Sequence, residues 1–179
     1  MRAPWASAGD DRVVHHRRTR TFPFEEYLHR VRTGPCFVCA ILAGHPDYPH
    51  DDVYEDDDTI AFLVRYPTLL GHLVVAPKTH VESWVDGMSE DEYARFQRKV
   101  HRIATAVAAT LPTERMYSLS LGSQQGNSHV HWHVAPLPPG VPYEQQQFYA
   151  LMCEHGILDV TPDSQAALAA AIRANIRGN

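Results

Sequence analysis

The sequence predicts an α+β fold: a mostly antiparallel, meandering sheet, one long helix and a helical C-terminal extension. Three observations lead there. Short apolar segments, VYE (53–55), TIAFLVR (59–65), HLVVAP (72–77) and MYSLSLG (116–122), are rich in β-formers and bounded by turn residues. Between the third and fourth, one long stretch changes to an apolar spacing of three and four. After Pro142 strand signals stop and helical ones return.

The first 22 residues mix Ala, Ser, Gly and Asp with a basic run, His15-His16-Arg17-Arg18, and are expected to form a flexible arm. Residues 23–140 form the main domain and 141–179 a helical extension packed on it. Phe24 to Arg32 has helical spacing and stops at Gly34-Pro35; Cys36 to Ala43 is a second short helix closed by Gly44. Asp56-Asp57-Asp58 reads as a solvated turn between two strands rather than a metal site. Ser89 opens a capping box with Glu92, and the helix behind it buries Tyr93, Phe96, Val100, Ile103 and Val107 before ending ahead of Pro112. PLPPGVP (136–142) should end the strand before it, because proline donates nothing to a ladder. Tyr143 to His155 is expected as one helix capped by Gly156. Thr161 as N-cap and Pro162 at the first position open the last helix.

At 179 residues, 44% apolar and 21% charged, the chain has the composition of a globular domain with a real core. A net charge of −5 gives no basis for binding a nucleic acid polymer. No apolar run approaches the roughly 18 residues of a membrane span, and the N-terminus lacks a secretory apolar core. Three cysteines, two of them as Cys36-Phe-Val-Cys39, make no disulfide framework; Cys153 reads as a helix-face residue. A cytoplasmic protein without membrane partners is the expectation.

The most informative stretch is HVHWHVA. His129, His131 and His133 alternate with Val130, Trp132 and Val134. On a strand, residues two apart share a face, so one face would carry imidazoles and the other would enter a core. Taken alone, the pattern fits a metal site, a nucleophile with helpers, or a merely polar face.

HVHWHVA also fits the pattern His-φ-His-φ-His-φ-φ, with φ apolar, and so resembles the histidine-triad (HIT) family. CFVCAILAG resembles the Cys-x-x-Cys opening of its zinc-bearing bacterial members. VYEDDDTIAFLVRYP and GHLVVAPKTHVES resemble its paired strands and its Pro-Lys-x-His segment. These motifs follow the family's order from Cys36 to Pro138.

The resemblance implies a nucleotidyl hydrolase or transferase that cleaves at the α-phosphate of a nucleoside polyphosphate, dinucleoside polyphosphate or related adenylated small molecule. The intermediate would be a covalent nucleotidyl-histidine; the alternative is a nucleotide-binding module with little turnover. His131 would be the nucleophile, His133 would contact phosphate oxygens, and His72 would be a further active-site histidine. Gln124, Gln125, Asn127 and Ser128 would hold phosphate or leaving group. Cys36, Cys39, His80 and His129 would hold a structural Zn²⁺. The resemblance also implies a homodimer joined through the long helix and a sheet edge; His101, Ala104, Ala108 and Ala109 give that helix a small-residue side. Tyr143, Gln146, Gln147 and Phe148 are placed to reach the pocket.

Two positions depart from the pattern. Where the family usually has Asp or Asn to hold ribose hydroxyls, this chain has Val64, with Arg65 expected to face the other way. In QQGNSH the hydroxyl has moved next to the first histidine, which on a strand puts Ser128 opposite His129.

Overall fold

The computed structural model describes residues 18–177. The predicted arm lies outside the described residues as far as residue 17. Its end, Arg18–Arg20, is a strand (β1) that pairs antiparallel with Ile157–Leu158 (β7).

Helices α1 (Phe24–Thr33) and α2 (Phe37–Leu42) lead into the main sheet. Its strands are β2 (Asp52–Glu55), β3 (Thr59–Leu63), β4 (Leu73–Pro77), β5 (Arg115–Leu119) and β6 (Trp132–Leu137). They lie in the order β2-β3-β4-β6-β5, antiparallel throughout. The first three follow one another as a meander, and β6 then inserts between β4 and β5. A one-turn helix α3 (Trp84–Gly87) precedes α4 (Glu90–Thr110).

Every residue of β3 and β4 is buried, because both faces of the sheet are covered. One face sends Val53, Ala61, Leu63, Leu73, Val75, Trp132 and Val134 against α4 and the last helix, α6 (Pro162–Arg177). The other face sends Ile60, Phe62, Val74 and Ala76 against Val38 and Ile41 of α2. Side chains alternate along a strand, so the faces are fixed by parity. Val74 pairs with His133, which puts His133 on the α2 face.

Helix α4 has the expected capping box: Ser89 Oγ accepts from the Glu92 N–H, and the Ser89 N–H donates to Glu92 Oε2 at 2.8 Å. Its buried stripe is Phe96, Val100, Ile103, Ala106 and Val107, with Tyr93 packed at the edge. Each large member contributes about 1.5–3 kcal/mol by leaving water. Asp56 Oδ1 accepts from the Thr59 N–H at 2.9 Å while Oδ2 meets Lys99 Nζ at 2.8 Å, so the turn is closed locally and tied to α4.

Helix α6 adds Leu168, Ala169, Ile172 and Ile176 to the core shared with α4, and Thr161 Oγ1 caps it by accepting from the Ser164 N–H. Three expectations change. Pro136 and Leu137 belong to β6, and Pro136 pairs with Met116. The Leu137 carbonyl faces β5, accepting from Glu114, so Pro136 faces the β4 side, where pairing has already stopped at Val134. A missing donor costs nothing there.

Residues 143–155 are not one helix. Only Phe148–Leu151 (α5) is α-helical, between single 3₁₀ turns at Tyr143–Gln145 and Cys153–His155. Gln147, at φ 55°, interrupts the helical path. The third change concerns the histidine segment: regular pairing begins only at Trp132, so His129 and His131 precede the strand. Their backbone is anchored otherwise, by Val130 N–H to the Val81 carbonyl (2.6 Å) and by Ser120 Oγ to the His131 carbonyl (2.8 Å).

Candidate active site

The alternation of HVHWHVA survives the late start of β6. Val130, Trp132 and Val134 enter the core shared with α4, while His131 and His133 turn to the α2 face. The His131 and His133 rings are 5.0 Å apart between centroids, and the edge of Phe37 meets His131 at 5.2 Å. Phe37 and Ile41 of α2 thus form part of the wall beside the imidazoles.

His131 is 5% exposed. Its Nδ1–H donates to the His129 carbonyl at 2.6 Å, which fixes the tautomer and leaves the Nε2 lone pair available. His133 Nδ1 shares a hydrogen bond with His72 Nε2 at 3.0 Å. His72 comes from the turn after Gly71, a residue at φ 80° whose missing side chain also leaves room for Leu111. Burial lowers the pKa of all three imidazoles. His72 is held at about 3 by burial and then by its neighbour His133, and His133 at about 4 by burial and then by His131. For His131 burial lowers the pKa and the bond to the His129 carbonyl partly opposes it. At neutral pH the three rings are therefore uncharged, the state a nucleophilic imidazole requires.

His72, His131 and His133 line one cavity of about 320 Å³, together with Val64, Thr68 and Asn127. Two buried polar atoms in its wall, His72 Nδ1 and Thr68 Oγ1, find no partner among the described residues. Asn127, at φ 57°, donates through Nδ2 to the Tyr27 hydroxyl at 2.7 Å. Gly126 lies so close to α1 that a Cβ there would collide with Val31, which seats the preceding turn against that helix.

The other residues expected around phosphate are elsewhere. Gln124 and Gln125 are exposed at the tip of the turn closed by Ser123 and Gly126, and neither lines the cavity. Ser128 Oγ donates to Glu82 at 2.8 Å, and Ser128 does not line the cavity. Tyr143 and Phe148 are 76% and 77% exposed and do not reach it; Leu151 and Cys153 do. Arg65 joins Val64 in the wall, since β3 has ended at Leu63 and strict alternation no longer applies. Sequence reasoning missed Phe22, Tyr27, Arg30, His50 and Thr68; Tyr27 and Arg30 lie three apart on α1, and the other three come from separate places in the chain.

A second cluster sits beside the first. The donor atoms of Cys36, Cys39, His80 and His129 lie within 4.8 Å of one another. Cys36 Sγ and Cys39 Sγ approach His129 Nδ1 at 3.4 and 3.8 Å, and Cys39 Sγ approaches His80 Nδ1 at 3.4 Å. Tetrahedral zinc with usual bond lengths would separate sulfur from nitrogen by about 3.6 Å. Both histidines turn Nδ1 to the sulfurs because Nε2 is committed as a donor, His129 to the Pro77 carbonyl at 2.9 Å and His80 to Glu82 at 3.2 Å. Outer partners of this kind set the tautomer for a metal ligand. The four residues fit a metal ion.

Comparison with known proteins finds one family. The family model described as the HIT domain matches residues 45–139. An uncharacterized HIT-like protein of Saccharolobus solfataricus is 33% identical over 104 residues, 56% of this chain and 73% of that protein. The protein named hit of Bacillus subtilis is also 33% identical over 104 residues, 58% of this chain and 70% of its own. Among solved structures, a zinc-bound histidine triad family protein of Mycobacterium smegmatis superposes with a TM-score of 0.62 at 26% identity, covering 80% of this chain and 94% of that one. A hypothetical histidine triad nucleotide-binding protein of Sulfolobus tokodaii shares the fold, with a TM-score of 0.64 at 24% identity over 80% of this chain and 93% of its own.

Proposed function

The chain belongs to the HIT family, and from that premise we propose that it is a nucleotidyl hydrolase or transferase working through a covalent nucleotidyl-histidine. The observation that carries the reading is the His131 Nδ1–H bond to the His129 carbonyl, which leaves a neutral Nε2 free beside His133 in a cavity of nucleotide size.

In the first step His131 Nε2 attacks the α-phosphorus. An N–P bond forms, the bond to the leaving oxygen breaks, and the electron pair departs with that oxygen. Water or another acceptor then attacks phosphorus and loses its proton to solvent, the N–P bond breaks with its electron pair returning to Nε2, and His131 is again neutral. One difficult displacement becomes two easier ones. His133, braced by His72, orients the phosphate oxygens, and Asn127 lies at the same wall. The substrate is a nucleoside or dinucleoside polyphosphate or a related adenylated small molecule.

Cys36, Cys39, His80 and His129 hold a structural Zn²⁺ in this reading. The ion ties α2 to the segment that carries His131. The active form is a homodimer using the open edge of β5 and the exposed side of α4 at His101, Ala108 and Ala109. A cytoplasmic location goes with reduced cysteines; among the described residues no helix is long and apolar enough to cross a membrane.

A second reading, a nucleotide-binding module with little turnover, draws on Val64 and on the engagement of Ser128 by Glu82, which removes a hydroxyl from the leaving-group side. Intact-protein mass spectrometry after brief mixing with adenylated and guanylated compounds separates the two. A nucleotide-sized adduct that disappears in His131→Asn is expected. Binding without adduct or nucleotide release would favour the module.

A further inference from the structure

The cavity has a buried floor and a basic rim. The imidazoles of His72 and His131 form the floor, each under a tenth exposed. Arg30 of α1 and Arg65 after β3 stand in the same wall, Arg65 in the open and Arg30 half-buried. Both guanidiniums donate to one acceptor, the Asp47 carbonyl, at 3.3 and 3.4 Å, so their donor nitrogens lie close together. Like charges repel at that distance, and one long bond to a shared carbonyl leaves most of their ten donors unused.

Nothing acidic in the wall offsets them. No carboxylate of the described residues lines the cavity. Arg30 has a partner in Glu26 at 3.1 Å, one turn back on its own helix, and the exposed Asp47 carboxylate forms no ion pair with either arginine. The rim is aromatic as well as basic: Arg65 lies 5.6 Å from the centre of the Tyr66 ring and Arg30 5.9 Å from that of Tyr48. Phe22 packs on both Tyr66 and Tyr27. Stacked guanidiniums that keep free donors suit a phosphate, which they can grip through two parallel bonds.

The place of Arg65 relative to the floor says where that phosphate sits on the ligand. The Val64 N–H pairs with the His72 carbonyl at 3.0 Å, so Arg65 leaves the wall one residue from the level of the imidazoles. Val64 itself presents only methyl groups to the cavity and accepts nothing from a sugar hydroxyl. A hydroxyl carrying a phosphate would bring its own charge to Arg65. Resting on the nucleotidyl reading, we propose that the substrate is a nucleotide with a second phosphate on its ribose, held by Arg65 with Arg30 while the 5′-phosphate lies on the histidines.

The test measures binding of AMP, adenosine 2′,5′-bisphosphate, adenosine 3′,5′-bisphosphate and ATP to His131→Asn protein, with Arg65 intact and as Arg65→Met. One of the bisphosphates should bind about tenfold more tightly than AMP, the scale of a bidentate guanidinium–phosphate contact. That ratio should fall to near one in Arg65→Met and shrink with added salt, as for any exposed charge pair. Arg65→Lys, keeping the charge without the fork, should lie between. Equal binding of AMP and both bisphosphates, or a preference that survives Arg65→Met, would overturn the inference and leave the nucleotidyl reading standing. So would an Arg65-dependent gain for ATP alone, which would assign the rim to a polyphosphate chain. No binding of any of the four would remove both readings together.

Discussion

His72 and His133 share a hydrogen bond of 3.0 Å between Nε2 and Nδ1, although 61 residues separate them in the chain. A neutral imidazole has one N–H and one lone pair, so such a bond holds only while at least one ring is unprotonated. The pair therefore couples the preparation of the cavity to pH.

Stability should follow the same chemistry. Both rings have folded pKa values below the ordinary histidine range, at about 3 and about 4, so below about pH 6.5 the unfolded chain binds more protons. Stability is thus complete above that pH and is lost as pH falls towards 4. Each ring contributes a slope of about 1.4 kcal/mol per pH unit within the window. Urea unfolding at pH 7.5 and 5.5 should show this loss, and His72→Gln should make it smaller. An unchanged pH slope in that variant would show that His72 is not buried neutral.

His131→Asn should abolish nucleotide release while leaving the thermal midpoint within a few degrees. The ring contacts Phe37 and His133 rather than the main hydrophobic cluster, so its loss removes the nucleophile more than the packing. Melting curves beside turnover assays check both halves.

Glu82 is a point where the two clusters touch: it accepts from His80 Nε2 and from Ser128 Oγ. Glu82→Gln should weaken zinc affinity by about 10–100-fold, the usual effect of losing an outer partner of a ligating histidine. Competition with a chromophoric chelator measures it. Affinity equal to that of the unaltered chain would mean that Glu82 does not orient His80.

The C-terminal helix should prove indispensable for folding. Leu168, Ala169, Ile172 and Ile176 belong to the same cluster as Val100 and Ile103. Ile172→Ala should cost about 2–5 kcal/mol, as large-to-small changes at fully buried sites do. Removing residues 143–179 should leave a chain without a cooperative thermal transition, since an apolar face of α4 would lie bare. A sharp melt in that shortened chain would show that α6 is an accessory.

Much of this protein is determined locally. The capping box at Ser89, the three- and four-residue stripe to Val107, the Thr161-Pro162 start and the Val130-Trp132-Val134 parity depend on side chains within a turn or a strand of one another. Interactions of that range are written in spacing, and the antiparallel sheet with its long helix was legible from them. The family resemblance, carried by motifs in order, named the histidines and cysteines that the fold gathers into two clusters.

Only tertiary structure decided the rest. Gln124 and Gln125 point outward, Ser128 turns to Glu82, and Arg65 swings into the wall once β3 has ended. Pro136 stays in a strand because the neighbour that would need its missing N–H is absent on that side. The helix expected over 143–155 breaks at Gln147, whose N–H instead donates to the Tyr117 hydroxyl at 2.8 Å. The cavity combines α1, the loop before β2, the turn to His72 and the segment around Cys153. No spacing encodes such a meeting, because it arises from the packing of elements far apart in the chain, where each side chain's surroundings are set by the whole fold.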